Sequence, residues 1–144
     1  MRADEIWSLT GTVTTTAGTT DTGYTDDWLV DGRANRPAKA TSGTVTWSIA
    51  STAGEVGGVA ICNHNLTVNA TLGGDISATL TVPTARANGI PVNGWKQITP
   101  VSGVDLVTVA ISGNAADVVI GEVVYGKVRT LPGDAPLIAG LGVQ

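Results

Sequence analysis

The stretch Leu66-Thr67-Val68-Asn69-Ala70-Thr71-Leu72-Gly73-Gly74-Asp75-Ile76-Ser77-Ala78-Thr79-Leu80-Thr81-Val82 decides the fold. Apolar residues fall at every second place: Leu66, Val68, Ala70 and Leu72 in one arm, Ile76, Ala78, Leu80 and Val82 in the other. A period of two puts them on one face of a strand and the threonines and Asn69 on the opposite face. Between the arms, Gly73-Gly74-Asp75 is a tight-turn signal, because glycine accepts the positive φ that two-residue hairpin loops need. Leu66–Leu72 and Ile76–Val82 therefore predict a β-hairpin with one apolar face.

The same reading extends outward. Thr44–Ala50 alternates Val45, Trp47 and Ile49 against Thr44, Thr46 and Ser48. Val56–Asn63 is apolar or small until its final Asn, which suits a central strand. Ile6–Thr16, Trp95–Thr99, Val104–Ser112 and Val118–Val128 complete the set, the last with bulges expected near Gly121 and Gly126. Trp28–Val30 reads as a strand or a single helical turn. Arg33–Ser42 is irregular, with Pro37 barring a central strand position. No helical crossover separates the strands. About eight short strands divided by turn signals predict an all-β chain, an antiparallel β-sandwich of the jelly-roll type. The sandwich is expected over residues 1–129. An extended C-terminal arm, 130–144, holds Leu137 and Ile138 among prolines and glycines as candidate partner contacts.

Composition narrows the function classes. The chain has 144 residues, 42% of them hydrophobic and 14% charged, against about a quarter charged in ordinary domains. It has no Phe, two Tyr and four Trp, so the core must come chiefly from aliphatic residues and threonine methyls. A net charge of −4 argues against a nucleic-acid surface built on clustered Lys and Arg. The basic residues Arg33, Arg36 and Lys39 lie close together, in what reads as a solvated loop. No apolar run is long enough to span a bilayer. Met1–Trp7 has no apolar signal core, so synthesis and retention in a cytosol are expected.

Candidate chemistry is thin. Cys62 is the single cysteine and His64 the single histidine. Two positions apart on one strand, they are poorly placed to activate one another. A zinc site needs three or four ligands, and no such set is spaced for it. Asp21, Asp26, Asp27 and Asp31 could bring oxygen ligands to one loop, or form a solvated acidic turn. No catalytic residue, cofactor or metal is expected. Asp31-Gly32 and Asn63-His64-Asn65 are read as structural loop residues whose side chains tie down backbone groups. Trp47 alternates with core residues. Trp28 and Trp95 flank loops and, with Arg33 and Arg36, are candidate contacts for a ligand or partner.

Several motifs carry a resemblance. Trp28-Leu29-Val30-Asp31-Gly32-Arg33 is followed by Arg36-Pro37-Ala38-Lys39 and by Thr44-Val45-Thr46-Trp47. Then come Val59-Ala60-Ile61-Cys62-Asn63-His64-Asn65-Leu66 and Ile120-Gly121-Glu122-Val123-Val124-Tyr125-Gly126. Across Trp28–Val128 this order resembles tailed-bacteriophage virion proteins with galactose-binding, discoidin-like jelly rolls. The resemblance implies a non-enzymatic structural component of the particle, either tail-associated or a head decoration protein. Its partners would be other virion proteins and copies of itself, and its location the virion. The alternative is a carbohydrate-binding module for host-surface attachment, with a glycan as partner. The chain lacks the arginine-rich binding loops and bridging cysteines of carbohydrate-binding discoidin modules, which favours assembly over sugar binding.

Overall fold

Two long strands organise the molecule. The computed structural model describes residues 7–8, 11–82 and 93–128. Strand β4 (Val45–His64, 20 residues) and strand β7 (Gly94–Ile111, 18 residues) pair antiparallel from Val45↔Ile111 to Ile61↔Gly94. The register slips between Ala50 and Gly54, between Gly54 and Val56, and between Val56 and Gly58. Those slips are bulges, and bulges bend a ribbon. Gly54 and Gly103, on the two strands at the bend, both have positive φ (74° and 69°), which only glycine takes without strain.

The bend divides one continuous hydrogen-bonded sheet into two layers. Before it, β4 lies between β2 (Thr12–Ala17) and the second half of β7. β5 (Ala70–Gly74) and β6 (Ala78–Leu80) follow on the far side of β7. After the bend, β4 lies between the first half of β7 and β8 (Val119–Gly126). β1 (Trp7–Ser8) and β3 (Ala38–Lys39) border β8. The eight strands among the described residues run antiparallel, as the period-two patterning predicted. Strands that change layer at a bend are how a single ribbon builds both faces of a sandwich.

The core lies between the layers. Val45, Trp47 and Ile49 of β4, and Val107, Val109 and Ile111 of β7, are buried from one side. Val59 and Ile61 of β4, with Val123 and Tyr125 of β8, belong to the same cluster. Burying each large side chain contributes roughly 1.5–3 kcal/mol relative to exposure.

Three sequence expectations need correction. Thr44–Ala50 and Val56–Asn63 are halves of one strand, as are Trp95–Thr99 and Val104–Ser112. The glycine- and proline-containing breaks between them are the bend, across which pairing resumes. Leu66–Asn69 is not strand: Thr67 N–H and Oγ1 are held by Asn114 Oδ1 at 2.7 and 3.0 Å, and the ladder begins at Ala70. β8 runs without a register shift from Gly126 to Ile120, so the bulges expected at Gly121 and Gly126 are absent from it. At Gly121 a Cβ would strike the carbonyl oxygen of Ala34, so glycine there admits a neighbouring loop. Trp28–Val30 belongs to a single 3₁₀ turn, Asp26–Val30. The proposed arm, with Leu137 and Ile138, lies outside the described residues.

Candidate functional site

The outer edge of β2 shows how the site is built. Among the described residues β2 pairs with β4 alone, so the outward N–H groups of Val13 and Thr15 need acceptors. Asp27 Oδ1 takes the first at 3.0 Å and Asp26 Oδ2 the second at 2.9 Å. The 3₁₀ turn is thereby fastened along the strand, with Leu29 and Val30 in the core. Asp26 also accepts from Thr15 Oγ1 at 2.8 Å, from Thr20 Oγ1 and from Trp47 Nε1 at 3.3 Å.

Before this turn the chain reverses at Asp21–Tyr24, with Tyr24 N–H donating to Asp21 O at 3.1 Å. Gly23 sits at φ 90°, a conformation that turns the next residue outward at no steric cost. Tyr24 is 37% exposed. Beside it lies an open pocket of about 340 Å³, lined by Val13, Thr20, Tyr24, Thr25, Asp26 and Asp27.

Aromatic rings and cations alternate along the rim. Lys39 Nζ stands 5.5 Å from the Tyr24 ring centroid. Tyr24 meets Trp28 edge-on, with centroids 6.0 Å apart. The Arg36 guanidinium lies 4.8 Å from the Trp28 centroid. Each cation has its own acid: Lys39 Nζ–Asp21 Oδ2 is 2.7 Å, and Arg36 Nη2–Asp31 Oδ2 is 2.7 Å. The ion-pair hydrogen bond raises the Lys39 ammonium above its ordinary range and lowers the Asp21 carboxyl below its own. The four aspartates considered as calcium ligands are thus committed elsewhere: Asp21 to Lys39, Asp26 and Asp27 to the edge of β2, and Asp31 to Arg36. Among the described residues no group of three or more His, Cys, Asp or Glu is placed to hold a metal.

The structure brings Trp28, Asp31, Gly32 and Arg36 to this region. Arg33 is exposed, and its N–H donates to Asp31 Oδ1 at 2.9 Å. Trp95 lies on β7 opposite Ala60, 44% exposed, its ring close over Gly58. Asn63 and His64 end β4, Asn65 follows it, and all three hold backbone. Asn63 donates from Nδ2 to Ala34 O and from its N–H to Asn93 Oδ1. His64 Nδ1 accepts Leu66 N–H at 3.1 Å. Asn65 bridges Asp117 O and Val119 N–H at 2.7 and 2.9 Å.

Sequence reasoning missed Tyr24, Asn114 and Glu122. Tyr24 had a signal: an aromatic in the turn-forming run Asp21-Thr22-Gly23-Tyr24-Thr25-Asp26. Glu122 had one too, as the single acid in the apolar run Val118–Val128.

Chemically, the pocket pairs an aromatic wall with hydroxyls and carboxylates. That combination suits a polyol: C–H faces pack on the ring while hydroxyls meet the oxygen atoms.

No family model matches the chain, and no curated protein matches it. Solved structures share its fold. The family 32 carbohydrate-binding module of Clostridium perfringens NanJ, solved in complex with galactose, superposes with a TM-score of 0.60 at 12% identity. That match covers 80% of this chain and 92% of the module. A pectin-binding carbohydrate-binding module gives 0.58 at 17% identity, covering 94% of this chain and 100% of the module. A family 89 glycoside hydrolase from C. perfringens gives 0.58 at 16% identity, over 88% of this chain but 16% of the hydrolase. At these identities the likeness is one of fold: an all-β jelly roll.

Proposed function

We propose that the domain is a non-catalytic glycan-binding module whose ligand lies in the pocket against Tyr24. The observation that carries this reading is the outward-held tyrosine beside Asp27, Thr20 and Thr25, on the fold of modules solved with sugars. A sugar ring placed there would stack a C–H face on Tyr24 and offer hydroxyls to Asp27 and the threonines. Lys39 and Asp21 hold one another beside the ring and stiffen the wall. The fold likeness supports sugar binding, the alternative that the sequence motifs ranked second. A role in assembling a phage particle has only those motifs behind it, since nothing in the structural likenesses links the chain to a virion.

Calorimetric titration with galactose and with pectin oligosaccharides, extended by a glycan array, tests the reading. Binding is expected, with a loss of about three- to tenfold in Tyr24→Ala, on the scale of about 0.5–1.5 kcal/mol for a lost aromatic contact. No binding across the array, or equal binding by Tyr24→Ala, overturns it. Mass spectrometry of purified particles tests the assembly role separately.

A further inference from the structure

Away from the pocket, one carboxyl is buried in a way that neither the core nor the proposed site explains. Glu122 lies on β8 opposite Cys62 of β4 and is 4% exposed. Its Oε1 accepts the Gly32 N–H at 3.1 Å. Its Oε2 is buried with no hydrogen-bond partner among the described residues. An ionised carboxylate with one bare oxygen away from water is costly.

The groups around it come from the turn above, from β4 and from β3; of the other elements packed on β8, β1 (Trp7–Ser8) has no ionisable side chain and the 3₁₀ turn has its Asp26 and Asp27 bonded to β2. The turn above supplies Asp31, whose charge repels Glu122, and the Gly32 and Arg33 N–H groups, whose dipoles attract it. β4 supplies Cys62, whose thiol is pushed up by burial and then by the Glu122 charge. His64, further along β4, has Nδ1 turned to Leu66 N–H. The charged residue of β3, Lys39, is committed to Asp21, and Arg36 to Asp31. Among the described residues no cation is paired with Glu122. Burial first, and Asp31 as a lesser contributor, push its carboxyl up to about 7 against the N–H dipoles.

We propose that Glu122 is a proton-sensitive latch under the Asp31–Arg36 turn, holding the turn down on β8 when protonated and loosening it when ionised. The argument is one of differential stability. With the turn seated, the ionised form suffers desolvation and the Asp31 charge. With the turn lifted, water reaches Oε2 and the carboxylate is satisfied. Ionisation therefore favours the lifted turn, and protonation the seated one. The motion has a path to the pocket: the turn carries Asp31, Asp31 holds Arg36 over Trp28, and Trp28 abuts Tyr24. The latch itself does not depend on the glycan reading, and its test uses no sugar.

The test is proton–nitrogen NMR of the intact protein between about pH 5.5 and 8.5, following the Gly32 amide and the Glu122 carboxyl carbon. Both are expected to titrate together with a midpoint near 7. Exchange of the Gly32 amide, corrected for intrinsic base catalysis, is expected to be about tenfold faster at the alkaline end, as for a local opening. In Glu122→Gln both pH dependences should vanish and the turn should stay protected. A Gly32 amide that does not titrate, or that still titrates in Glu122→Gln, overturns the proposal. Should that variant fail to fold, the wild type decides alone: different midpoints for the carboxyl and the amide reject the latch.

Discussion

The indole N–H of Trp47, in the centre of the core, donates to Asp26 Oδ1 at 3.3 Å. A carboxylate on a surface turn thus satisfies the one polar atom of the largest core side chain. The same carboxylate takes the Thr15 N–H on the edge of β2. Asp26 joins turn, edge strand and core in a single group.

Asp26→Ala should be among the most damaging substitutions near the surface. It leaves the indole N–H and the Thr15 N–H without their acceptor, at a cost of about 3 kcal/mol. For a chain of this length the melting temperature should fall by roughly 6–12 °C. Urea denaturation of the variant against the wild type measures this. A loss under about 1 kcal/mol would show that water replaces the carboxylate without penalty.

The pH dependence of stability has a definite sign at Glu122. Its folded-state carboxyl stands at about 7, above the ordinary value of 4.5. Between those two values the folded chain holds a proton that the unfolded chain releases. This group's contribution is therefore fully favourable below 4.5, declines as pH rises towards 7 and is lost above it. Glu122→Gln removes that decline. The variant should gain on the wild type by about 2 kcal/mol between pH 5 and pH 8 in denaturant titrations. Parallel pH profiles for the two proteins would refute the assignment.

Much of the fold was legible because sheet burial imposes a period of two on the sequence itself. Val45, Trp47 and Ile49 alternate because they alternate in space. The β5–β6 hairpin was legible, but not its turn: the ladder closes at Leu72↔Ala78, Gly73 and Gly74 stay paired with β7, and of the two only Gly74 takes a positive φ, 80°. The bend was not legible: at Ser51–Val56 and Pro100–Gly103 the local signals for ending a strand and for bulging one are alike. Only pairing with the opposite strand distinguishes them. The site divided in the same way. Trp28, Asp31 and Arg36 stood out as unusual residues crowded into one loop. Tyr24 did not, because a single exposed aromatic has no periodicity, and its place at the pocket depends on how Asp26 and Asp27 grip β2. Asn114 is a distant partner of Thr67, and nothing in either local sequence announces the other.

That last pair makes its own prediction. Asn114 is buried, accepts from Thr67 N–H and Oγ1, and donates to Ala116 O at 2.9 Å. Asn114→Ala should cost about 2 kcal/mol by leaving these groups unpaired. Amide exchange should quicken at Thr67 and Ala115, the second of which donates to Thr67 Oγ1 at 3.0 Å. If exchange quickened evenly across β5 instead, Asn114 would be acting on the sheet and not on the loop.

Arg36→Lys separates charge from shape at the rim of the pocket. Two guanidinium nitrogens, Nε at 2.9 Å and Nη2 at 2.7 Å, converge on Asp31 Oδ2 while the plane lies over Trp28. Lysine keeps the charge but offers one compact ammonium, which cannot stack and bond to the acid at once. The Arg36 side chain is 43% exposed, so the ion pair adds little to stability, and the substitution should cost less than about 1 kcal/mol. Its effect should appear locally instead. Trp28 loses its cover, so acrylamide quenching of its fluorescence should rise, isolated by subtracting the signal of Trp28→Phe in each background. Tyr24, in edge contact with Trp28, should become more mobile, and any sugar affinity should fall by about three- to tenfold through loss of a preformed wall. Unchanged quenching with reduced affinity would mean that Arg36 touches the ligand directly, whereas unchanged values of both would remove the rim from the site.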